Sequence, residues 1–416
     1  MGVCDFHYFD RLVRIDIPDE YLTEKISPEP VPPLADIAGE VLEATADPIG
    51  APPLGSTLTP RSRVLIAVPD KSRHTDMREI LHAVLKRIEA AGVHRDNITI
   101  LIATGTHRPM TDEEIAAKFS PGIIGGYRVV NHVYDDMSSL IDLGTTRDGL
   151  PVQFNRLITE HDFIISIGAI KPHPVGGYSG GAKGLLPGIA GKRSTDYFHW
   201  EATKYPLFDI FGNPDNPVRF EMEDIVAKAG LSFIVNATEN ADGQISGVFA
   251  GDFVAAHRAG VAFLKETPLI AFPLTLPDIL VVGLGKDRPD LWGGAARIFL
   301  SAAFLKENGV LVLLAACPEG VARNHQVVLE HGYGNWRDVE KLVENGTIAD
   351  RTGASHVVTI GKILEEKRMR VILVSESISP AEADRLGFIG MTDPQGAFDR
   401  ALDETRGRDV LVYERI

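Results

Sequence analysis

Apolar runs of strand length alternate with helical patterns along this sequence, and loops rich in glycine and polar residues follow the strands. Arg63–Pro69 is the first such run, a helix is then predicted from Thr75 as its N-cap to Gly92, and Ile98–Ala103 is the next run. Thr111 and Glu114 form a capping box that predicts the start of a further helix. Strands that are apolar throughout are typical of parallel sheets covered by helices on both faces. The alternation therefore predicts an α/β fold with a doubly wound sheet.

A second series of strands and helices begins after a proline-containing stretch at residues 268–277. Because 416 residues exceed one ordinary α/β domain, we predict two α/β domains with mainly parallel sheets and the active site in the cleft between them. The first domain is expected to cover residues 1–271, beginning with an irregular arm over residues 1–60, and a smaller domain to cover residues 272–416. A return of the last strand to the first domain is left open.

The charge and cysteine content exclude several classes of protein. The chain has 57 acidic against 42 basic residues, a formal charge of −15, which disfavours binding to nucleic acid or to anionic membranes. The apolar runs are far shorter than the roughly 18 residues that a membrane span needs, and no targeting signal is evident. Two cysteines can build neither a disulfide framework nor a cysteine metal cluster. We expect a soluble, cytoplasmic protein.

Two short polar clusters follow the first two predicted strands. Asp70 and Arg73 follow the first, and His107 lies in the turn Thr104–Pro109 after the second. Carboxyl ends of parallel strands are where open α/β sheets bind ligands. Arg73 can hold a carboxylate with two hydrogen bonds, and Asp70 can accept one from a ribose hydroxyl. A solvated turn with an aspartate helix cap remains the alternative for Asp70, whereas the tight turn favours a functional His107.

The segment Lys171–Gly188 carries the most information. Its glycines and prolines follow an apolar strand and suit a loop whose backbone amides approach a phosphate. It is not a P-loop, because Ala182 separates Gly181 from Lys183. Lys183 can form a covalent linkage or bind a phosphate. His199 follows among aromatic residues and on its own could equally be a core histidine.

Hydrolysis of the zinc-metalloprotease type is excluded because the sequence has no H-E-x-x-H motif. The two loop histidines, His107 and His173, instead suggest an inversion in which two bases face one substrate carbon.

These motifs together resemble the lactate racemase family, in the same order and at similar spacing. The matching segments are Asp70-x-x-Arg73, Thr104-Gly-Thr-His107-Arg, Lys171-Pro-His173 with Gly-Gly-Tyr-Ser-Gly-Gly-Ala-Lys183, Pro187-Gly188 and His199. The resemblance runs from about Arg61 to the C-terminus and is loosest in the C-terminal half. It implies a nickel-pincer nucleotide, a pyridinium-3-thioamide-5-thiocarboxylate mononucleotide, tethered to Lys183 with His199 as nickel ligand. Soft donors supplied by the cofactor remove the need for cysteine.

The resemblance also implies roles for the remaining motif residues. His107 and His173 would be the acid/base pair on opposite faces of C2 of a 2-hydroxy acid, which gives hydride to the pyridinium and takes it back on its other face. Arg73 would anchor the substrate carboxylate, Asp70 would contact the cofactor, and Gly176 with Gly177 would approach its phosphate or ring. The implied partners are the small-molecule 2-hydroxy acid and, during maturation, cofactor-synthesis and nickel-insertion proteins, with neither nucleic acid nor membrane.

One segment departs from the family pattern. Family members that act on lactate carry a tyrosine and a lysine four residues apart near the start of the second domain. Residues 285–297 contain no tyrosine, and their one lysine, Lys286, falls too early. We therefore expect a substrate other than lactate, bulkier or with a second polar group, contacted by Arg288, Trp292 or Arg297.

Two other functions remain open at the level of sequence. One is a nucleotide- or sugar-acid-binding protein that has lost catalysis, because the C-terminal determinants diverge. The other is a 2-hydroxy acid oxidoreductase that uses the same cofactor and stops at the 2-keto acid. A binding protein would need neither paired bases nor a lysine tether, so the joint presence of His107, His173, Lys183 and His199 favours an isomerase.

Overall fold

The computed structural model describes residues 2–26, 31–73, 75–267, 275–286, 288–405 and 407–413. The chain divides into two compact units. The larger unit is Pro30–Leu269, and the smaller unit combines Met1–Glu29 with Ile270–Ile416.

Three strands begin the chain and belong to the smaller unit: β1 (Gly2–Tyr8), β2 (Arg11–Ile17) and β3 (Leu22–Ile26). The larger unit follows with α1 (Ile37–Ala46), α2 (Leu54–Thr57), β4 (Val64–Pro69), α3 (Arg78–Ala90), β5 (Ile98–Ala103), α4 (Asp112–Lys118), α5 (Pro121–Gly126), β6 (Arg128–Asn131), β7 (Leu140–Thr145), β8 (Pro151–Asn155), α6 (Leu157–Glu160), β9 (Phe163–Ala169), β10 (Pro172–His173), β11 (Gly177–Tyr178), α7 (Lys192–Ala202), α8 (Leu207–Ile210), α9 (Pro217–Ala229), β12 (Leu231–Glu239), β13 (Ile245–Gly251) and α10 (Ala255–Glu266).

The smaller unit is completed by β14 (Ile279–Gly283), α11 (Leu291–Gly294), α12 (Ala296–Phe304), β15 (Val310–Leu314), α13 (Val327–His331), α14 (Trp336–Glu344), α15 (Arg351–Glu366), β16 (Arg370–Val374), α16 (Pro380–Arg385), β17 (Ile389–Met391), α17 (Pro394–Glu404) and β18 (Val410–Tyr413). Short 3-10 helices cover Arg95–Asn97, Gly181–Gly184 and Tyr333–Asn335.

The main sheet of the larger unit has six strands in the order β13-β12-β9-β4-β5-β6, and only β13 is antiparallel to its neighbour. Alternate residues of a strand point to opposite faces of the sheet. In β4, Val64 and Ile66 belong to one buried cluster with residues of α3, whereas Leu65 and Ala67 belong to another with residues of α7 and α9. Burial on both faces explains why β4 is a continuous apolar run and confirms the predicted α/β class with mainly parallel sheets.

Local signals set the helix ends in this unit. Thr111 begins α4 with the predicted capping box, in which its side chain accepts from the backbone of Glu114 and the Glu114 side chain accepts in return. Gly92 ends α3 at φ +89°, as expected for a glycine just past a helix. The predicted helix cap at Thr75 is wrong: α3 begins at Arg78, and Thr75 is buried in the loop after β4.

The smaller unit contains a six-stranded sheet in the order β17-β16-β15-β14-β18-β3, parallel throughout. The hairpin β1–β2 packs on one face of this sheet. Its buried side chains alternate along each strand, with Phe6 and Ile17 in the same cluster as Val281 and Val312.

One expectation about domain composition is therefore wrong, and one alternative that was left open does not apply. The first 26 residues are not an irregular arm of the first domain, because β3 pairs with β18 and the β1–β2 hairpin buries its apolar face against the smaller unit's sheet. The last strand, β18, pairs with β14 and β3 and does not return to the larger unit. The expected boundary at residues 268–277 falls largely on residues 268–274, which lie outside the described residues.

A buried histidine joins three segments of the larger unit. His132, fully buried just after β6, has Nε2 2.9 Å from the carbonyl oxygen of Ala190, and its Nδ1 lies 3.2 Å from the side-chain amide nitrogen of Asn155. Its backbone carbonyl accepts from the Thr104 hydroxyl at 2.6 Å. Burial lowers the pKa of His132 from 6.5 to about 4. The imidazole is therefore neutral in the folded protein.

We expect His132 to make the protein less stable as pH falls from 6.5 to 4. Between these pH values the histidine binds a proton in the unfolded state but not in the folded state. The free energy of unfolding therefore falls by up to about 3 kcal/mol, and it does not change further below the folded pKa. Urea unfolding across this range should show a smaller loss of stability in His132→Gln than in the wild type, although the variant is less stable near neutral pH. The exposed His94→Gln is the control. Parallel pH profiles for wild type and His132→Gln would contradict the assignment.

Candidate active site

Three loops that follow neighbouring strands of the larger unit carry the polar side chains singled out by the sequence. Asp70 follows β4, His107 follows β5 and His173 follows β9. These strands are adjacent and parallel in the order β9-β4-β5, so their carboxyl ends lie at one edge of the sheet. This is the edge at which open α/β sheets bind ligands.

A buried carboxylate holds the imidazole of His107. Its Nδ1 lies 2.8 Å from Oδ2 of Asp70, which is only 3% exposed. The backbone N–H and the hydroxyl of Ser72 donate to the same carboxylate at 3.2 and 2.6 Å. Burial alone would raise the pKa of Asp70, but the hydrogen bond and charge of His107, together with Ser72, outweigh it and leave that pKa below its usual value. The predicted cofactor contact of Asp70 stays a prediction; in the structure its carboxylate orients His107.

His173 is held differently. It lies in β10, which pairs with β11, and the backbone N–H of Val175 donates to its Nδ1 at 3.1 Å. Burial, followed by the positive charges of Lys183 and Arg73, holds the pKa of His173 well below its usual value. His173 is therefore neutral near physiological pH.

Arg73 contributes positive charge to this edge. Its backbone N–H donates to the carbonyl of Asp70 at 3.3 Å, and its own carbonyl accepts from Nζ of Lys118 at 3.3 Å. The guanidinium charge is among the causes that lower the pKa values of His173 and Lys183. Arg73 therefore lies close enough to both residues to act on a ligand bound beside them.

Lys183 is almost completely enclosed. It lies in the 3-10 helix Gly181–Gly184 and is 8% exposed. Burial, with smaller effects from the charges of Arg73 and Arg219, holds the pKa of its ammonium group well below the usual value. A lowered pKa increases the share of unprotonated amine, which is the nucleophile that a covalent linkage requires.

Residues 176–184, which we call the glycine loop, include a position that only glycine can occupy. Gly177 has φ +75°, and a Cβ there would lie 2.0 Å from the carbonyl oxygen of Asn213. A Cβ on Gly176 would make only ordinary contacts, at 3.5 Å from Phe198 and 3.7 Å from Lys183. The chain's own packing thus explains Gly177, whereas the predicted approach of both glycines to a cofactor remains a prediction.

His199 lies on α7, edge-on to the ring of Phe198 at 5.2 Å between centroids. Its Nδ1 is 2.8 Å from the carbonyl oxygen of Thr195, one turn earlier in the helix. A hydrogen bond from Nδ1–H to a backbone carbonyl places the lone pair on Nε2, as in many metal-binding histidines. The charge of His199 is also among the causes that lower the pKa of His173.

Three buried residues that sequence reasoning missed hold the glycine loop in place. Arg219 donates to the carbonyls of Tyr178 at 3.1 Å and Gly180 at 3.3 Å. Asn236 accepts from the N–H of Gly181 at its Oδ1, at 2.6 Å. The Nε2 atom of His257 lies 3.0 Å from the carbonyl oxygen of Ser179. Arg219 also pairs with Glu223 at 2.8 Å. A charged residue among the apolar positions of α9 was the available signal, because a buried arginine needs acceptors.

We expect Arg219→Met to destabilise the protein by about 3 kcal/mol or more, because it leaves buried carbonyl oxygens without their donor. Arg219 is fully buried, and burial lowers its pKa to about 10. The free energy of unfolding measured in urea checks this expectation. Arg193→Met is the control, since Arg193 forms an exposed pair with Asp142 that is worth less than about 1 kcal/mol. Equal losses in the two variants would contradict a structural role for Arg219.

The three predicted substrate contacts, Arg288, Trp292 and Arg297, belong to the smaller unit and all follow β14. The indole of Trp292 stacks on the imidazoles of both His325 and His356, with ring centroids 4.2 and 4.3 Å away. Trp292 thus already has aromatic partners within the protein, and its contact with a substrate stays a prediction.

Among the described residues, no three histidine, cysteine, aspartate or glutamate side chains gather into a set that could hold a metal ion. In the same part of the chain, no helix has the length and apolar character needed to cross a membrane.

Comparison with known proteins identifies relatives of this chain. A model of the lactate racemase N-terminal domain matches residues 8–206. The chain is 30% identical over 325 residues to lactate racemase of Lactiplantibacillus plantarum, an alignment that covers 77% of this chain and 76% of that protein. It is 28% identical over 326 residues to lactate racemase of Thermoanaerobacterium thermosaccharolyticum, with the same coverage.

Solved structures have the same fold. The lactate racemase apoprotein from Thermoanaerobacterium thermosaccharolyticum matches with a TM-score of 0.84 at 24% identity, over 100% of this chain and 98% of that one. A protein from Thermotoga maritima matches with a TM-score of 0.70 at 21% identity, over 90% of this chain and 95% of that one. The chain therefore belongs to the lactate racemase family and is an isomerase of the racemase type.

Proposed function

We propose that this protein inverts C2 of a 2-hydroxy acid other than lactate, with a nickel-pincer nucleotide joined to Lys183. One observation carries the proposal: His107 and His173 follow strands on either side of β4 at one sheet edge, beside the enclosed amine of Lys183, whose pKa is lowered by burial. Two imidazoles and a nucleophilic amine are the groups that a two-base inversion on a tethered cofactor requires.

The residues present fit the cofactor. The Lys183 amine is suited to an amide-type linkage, and the hydrogen bond from His199 to Thr195 leaves the Nε2 lone pair as the donor for nickel. Asn236 adds a buried amide nitrogen, Nδ2, that has no hydrogen-bond partner among the described residues and lies beside the glycine loop. When bound, the cofactor supplies a pyridinium that accepts hydride from C2 and returns it.

The chain's own residues bind the substrate and move its hydroxyl proton. Arg73 holds the substrate carboxylate, which fixes C2 between the two imidazoles. One imidazole removes the hydroxyl proton as C2 loses hydride, and the other serves the opposite face. Near-neutral exchange of protons is the chemistry for which histidine is suited.

We further propose that the substrate has a second polar group, with Arg288, Trp292 and Arg297 as its contacts. Trp292 already stacks on the imidazoles of His325 and His356, so the two arginines are the contacts that best suit a polar group. Nearby in the smaller unit, His325 is 3% exposed, its Nδ1 lies 3.0 Å from Asp350, and its Nε2 has no hydrogen-bond partner among the described residues. Dicarboxylic and polyhydroxylated 2-hydroxy acids meet this description.

The test uses protein co-produced with the cofactor-making and nickel-inserting proteins. Intact mass and metal analysis should show an adduct and nickel, and chiral chromatography should show faster racemisation of malate or aldonic acids than of lactate or aryl-lactates. Efficient racemisation of lactate alone would contradict the substrate. Absence of both the adduct and nickel would contradict the proposed cofactor. Net formation of the 2-keto acid with an external electron acceptor would identify an oxidoreductase.

A further inference from the structure

The two histidines of the candidate site each form a hydrogen bond through Nδ1, but one Nδ1 donates and the other accepts. His107 Nδ1 faces the carboxylate of Asp70, which can only accept a hydrogen bond when ionised. His173 Nδ1 faces the backbone N–H of Val175, which can only donate one. The partner of each ring thus dictates whether its Nδ1 carries a proton.

We propose that the protein holds its two active-site histidines in opposite tautomers, with the proton of His107 on Nδ1 and that of His173 on Nε2. Asp70 is then a positioning residue for His107, and the Val175 N–H has the same task for His173. The roles given to these tautomers rest on the proposed function, whereas the tautomers themselves follow from the hydrogen bonds alone.

The hydrogen bonds around His107 allow only one neutral tautomer. Asp70 is buried, and Ser72 donates two hydrogen bonds to its Oδ1, which leaves Oδ2 to His107. If Nδ1 of His107 lacked its proton, two lone pairs would face each other at 2.8 Å. With Nδ1 protonated, Nε2 carries a lone pair, and a proton taken up there produces an imidazolium beside a carboxylate.

On the His173 side the same reasoning gives the opposite result. A proton on Nδ1 would face the Val175 N–H at 3.1 Å, so the neutral ring keeps its proton on Nε2. The short pairing of β10 with β11, Pro172 with Tyr178 and His173 with Gly177, fixes the backbone that carries this N–H. For His173 to accept a proton at Nε2 or to become an imidazolium, the hydrogen bond from Val175 must break.

The two imidazoles are consequently unequal in the resting protein. His107 is ready to accept the substrate's hydroxyl proton, and His173 is ready to donate a hydrogen bond from Nε2–H. The substrate enantiomer that presents its hydroxyl to His107 meets a base that is already prepared. The other enantiomer needs His173 to give up its bond to Val175 first.

The tautomers can be read directly in the full-length protein, with and without cofactor. Protein labelled with ¹⁵N in its histidine rings gives long-range ¹H–¹⁵N spectra in which protonated and unprotonated ring nitrogens have different shifts. His107→Gln and His173→Gln identify the two sets of signals among the 13 histidines. In mildly alkaline buffer we expect Nδ1–H for His107 and Nε2–H for His173. The same tautomer in both, or the reverse assignment, would overturn the proposal.

Asp70→Asn tests the positioning role, and Asp76→Asn, at an exposed pair with Arg78, is the matched control. The asparagine amide can donate to Nδ1, so His107 should shift toward the Nε2–H tautomer while the signals of His173 stay in place. In the loaded enzyme kcat should fall roughly 10²-fold or more with a smaller change in KM. Unchanged His107 signals in a folded Asp70→Asn variant would refute the positioning role. The wild-type spectrum decides the tautomers even if this variant is unstable, and an inactive wild type would bear on the proposed function alone.

Discussion

Lys183→Arg, produced with the cofactor-making proteins, is expected to carry no covalent adduct and to show no detectable racemisation. Burial and nearby positive charge lower the pKa of the wild-type amine, and the unprotonated amine can attack an acyl-type carbon. Arginine keeps a similar length but is never deprotonated in proteins, so it cannot form the linkage. Intact mass, nickel content and activity should therefore be lost together.

Lys204→Arg is the control, because Lys204 is an exposed lysine that pairs with Glu201 a few residues from His199. It should keep the adduct and its activity. An adduct of full mass on Lys183→Arg would place the tether elsewhere and remove the central part of the proposed function. An adduct lost in both variants would point instead to general failure of maturation.

His107→Gln and His173→Gln are each expected to lower kcat by about 10²- to 10⁴-fold, the usual contribution of a general acid or base. Glutamine keeps a polar side chain without a titrating nitrogen. Neither residue is a proposed tether or metal ligand, so both variants should retain the covalent adduct and the nickel. Chiral analysis of both enantiomers, together with intact mass, separates lost catalysis from lost cofactor.

His94→Gln, a change at an exposed histidine, should behave as the wild type. The double variant should be little worse than the poorer single one, because residues that act as a unit in one reaction are not additive. Activity within a few-fold of the wild type in either single variant would contradict the two-base assignment.

The parts of the fold that the sequence predicted are those governed by local patterns. The apolar run of β4, the helical stripe of α3 and the capping box of Thr111 and Glu114 each depend on residues a few positions apart. The N-terminal strands were missed although Cys4, Phe6 and Tyr8 alternate with polar residues, because neighbouring prolines and alanines suggested an arm. The pairing of β3 with β18 joins the two ends of the chain, which no local pattern reveals.

In the candidate site, too, the sequence predicted the residues of local motifs but not their distant partners. Loop motifs identified His107, His173 and Lys183, because their spacing is local. The hydrogen bond between His107 and Asp70 joins residues 37 positions apart, and that between Gly181 and Asn236 joins residues 55 apart. Such partners can be assigned only once the sheet brings the strand ends together.

The pairing of β3 with β18 has a consequence for how the protein is made. During synthesis the first 26 residues leave the ribosome long before β18, the strand that β3 must join. The larger unit, an uninterrupted stretch of chain, can complete its sheet in the meantime. The apolar face of the β1–β2 hairpin therefore stays uncovered until β14 and β15, the strands it packs against, have been made, and aggregation of nascent chains should begin at these strands.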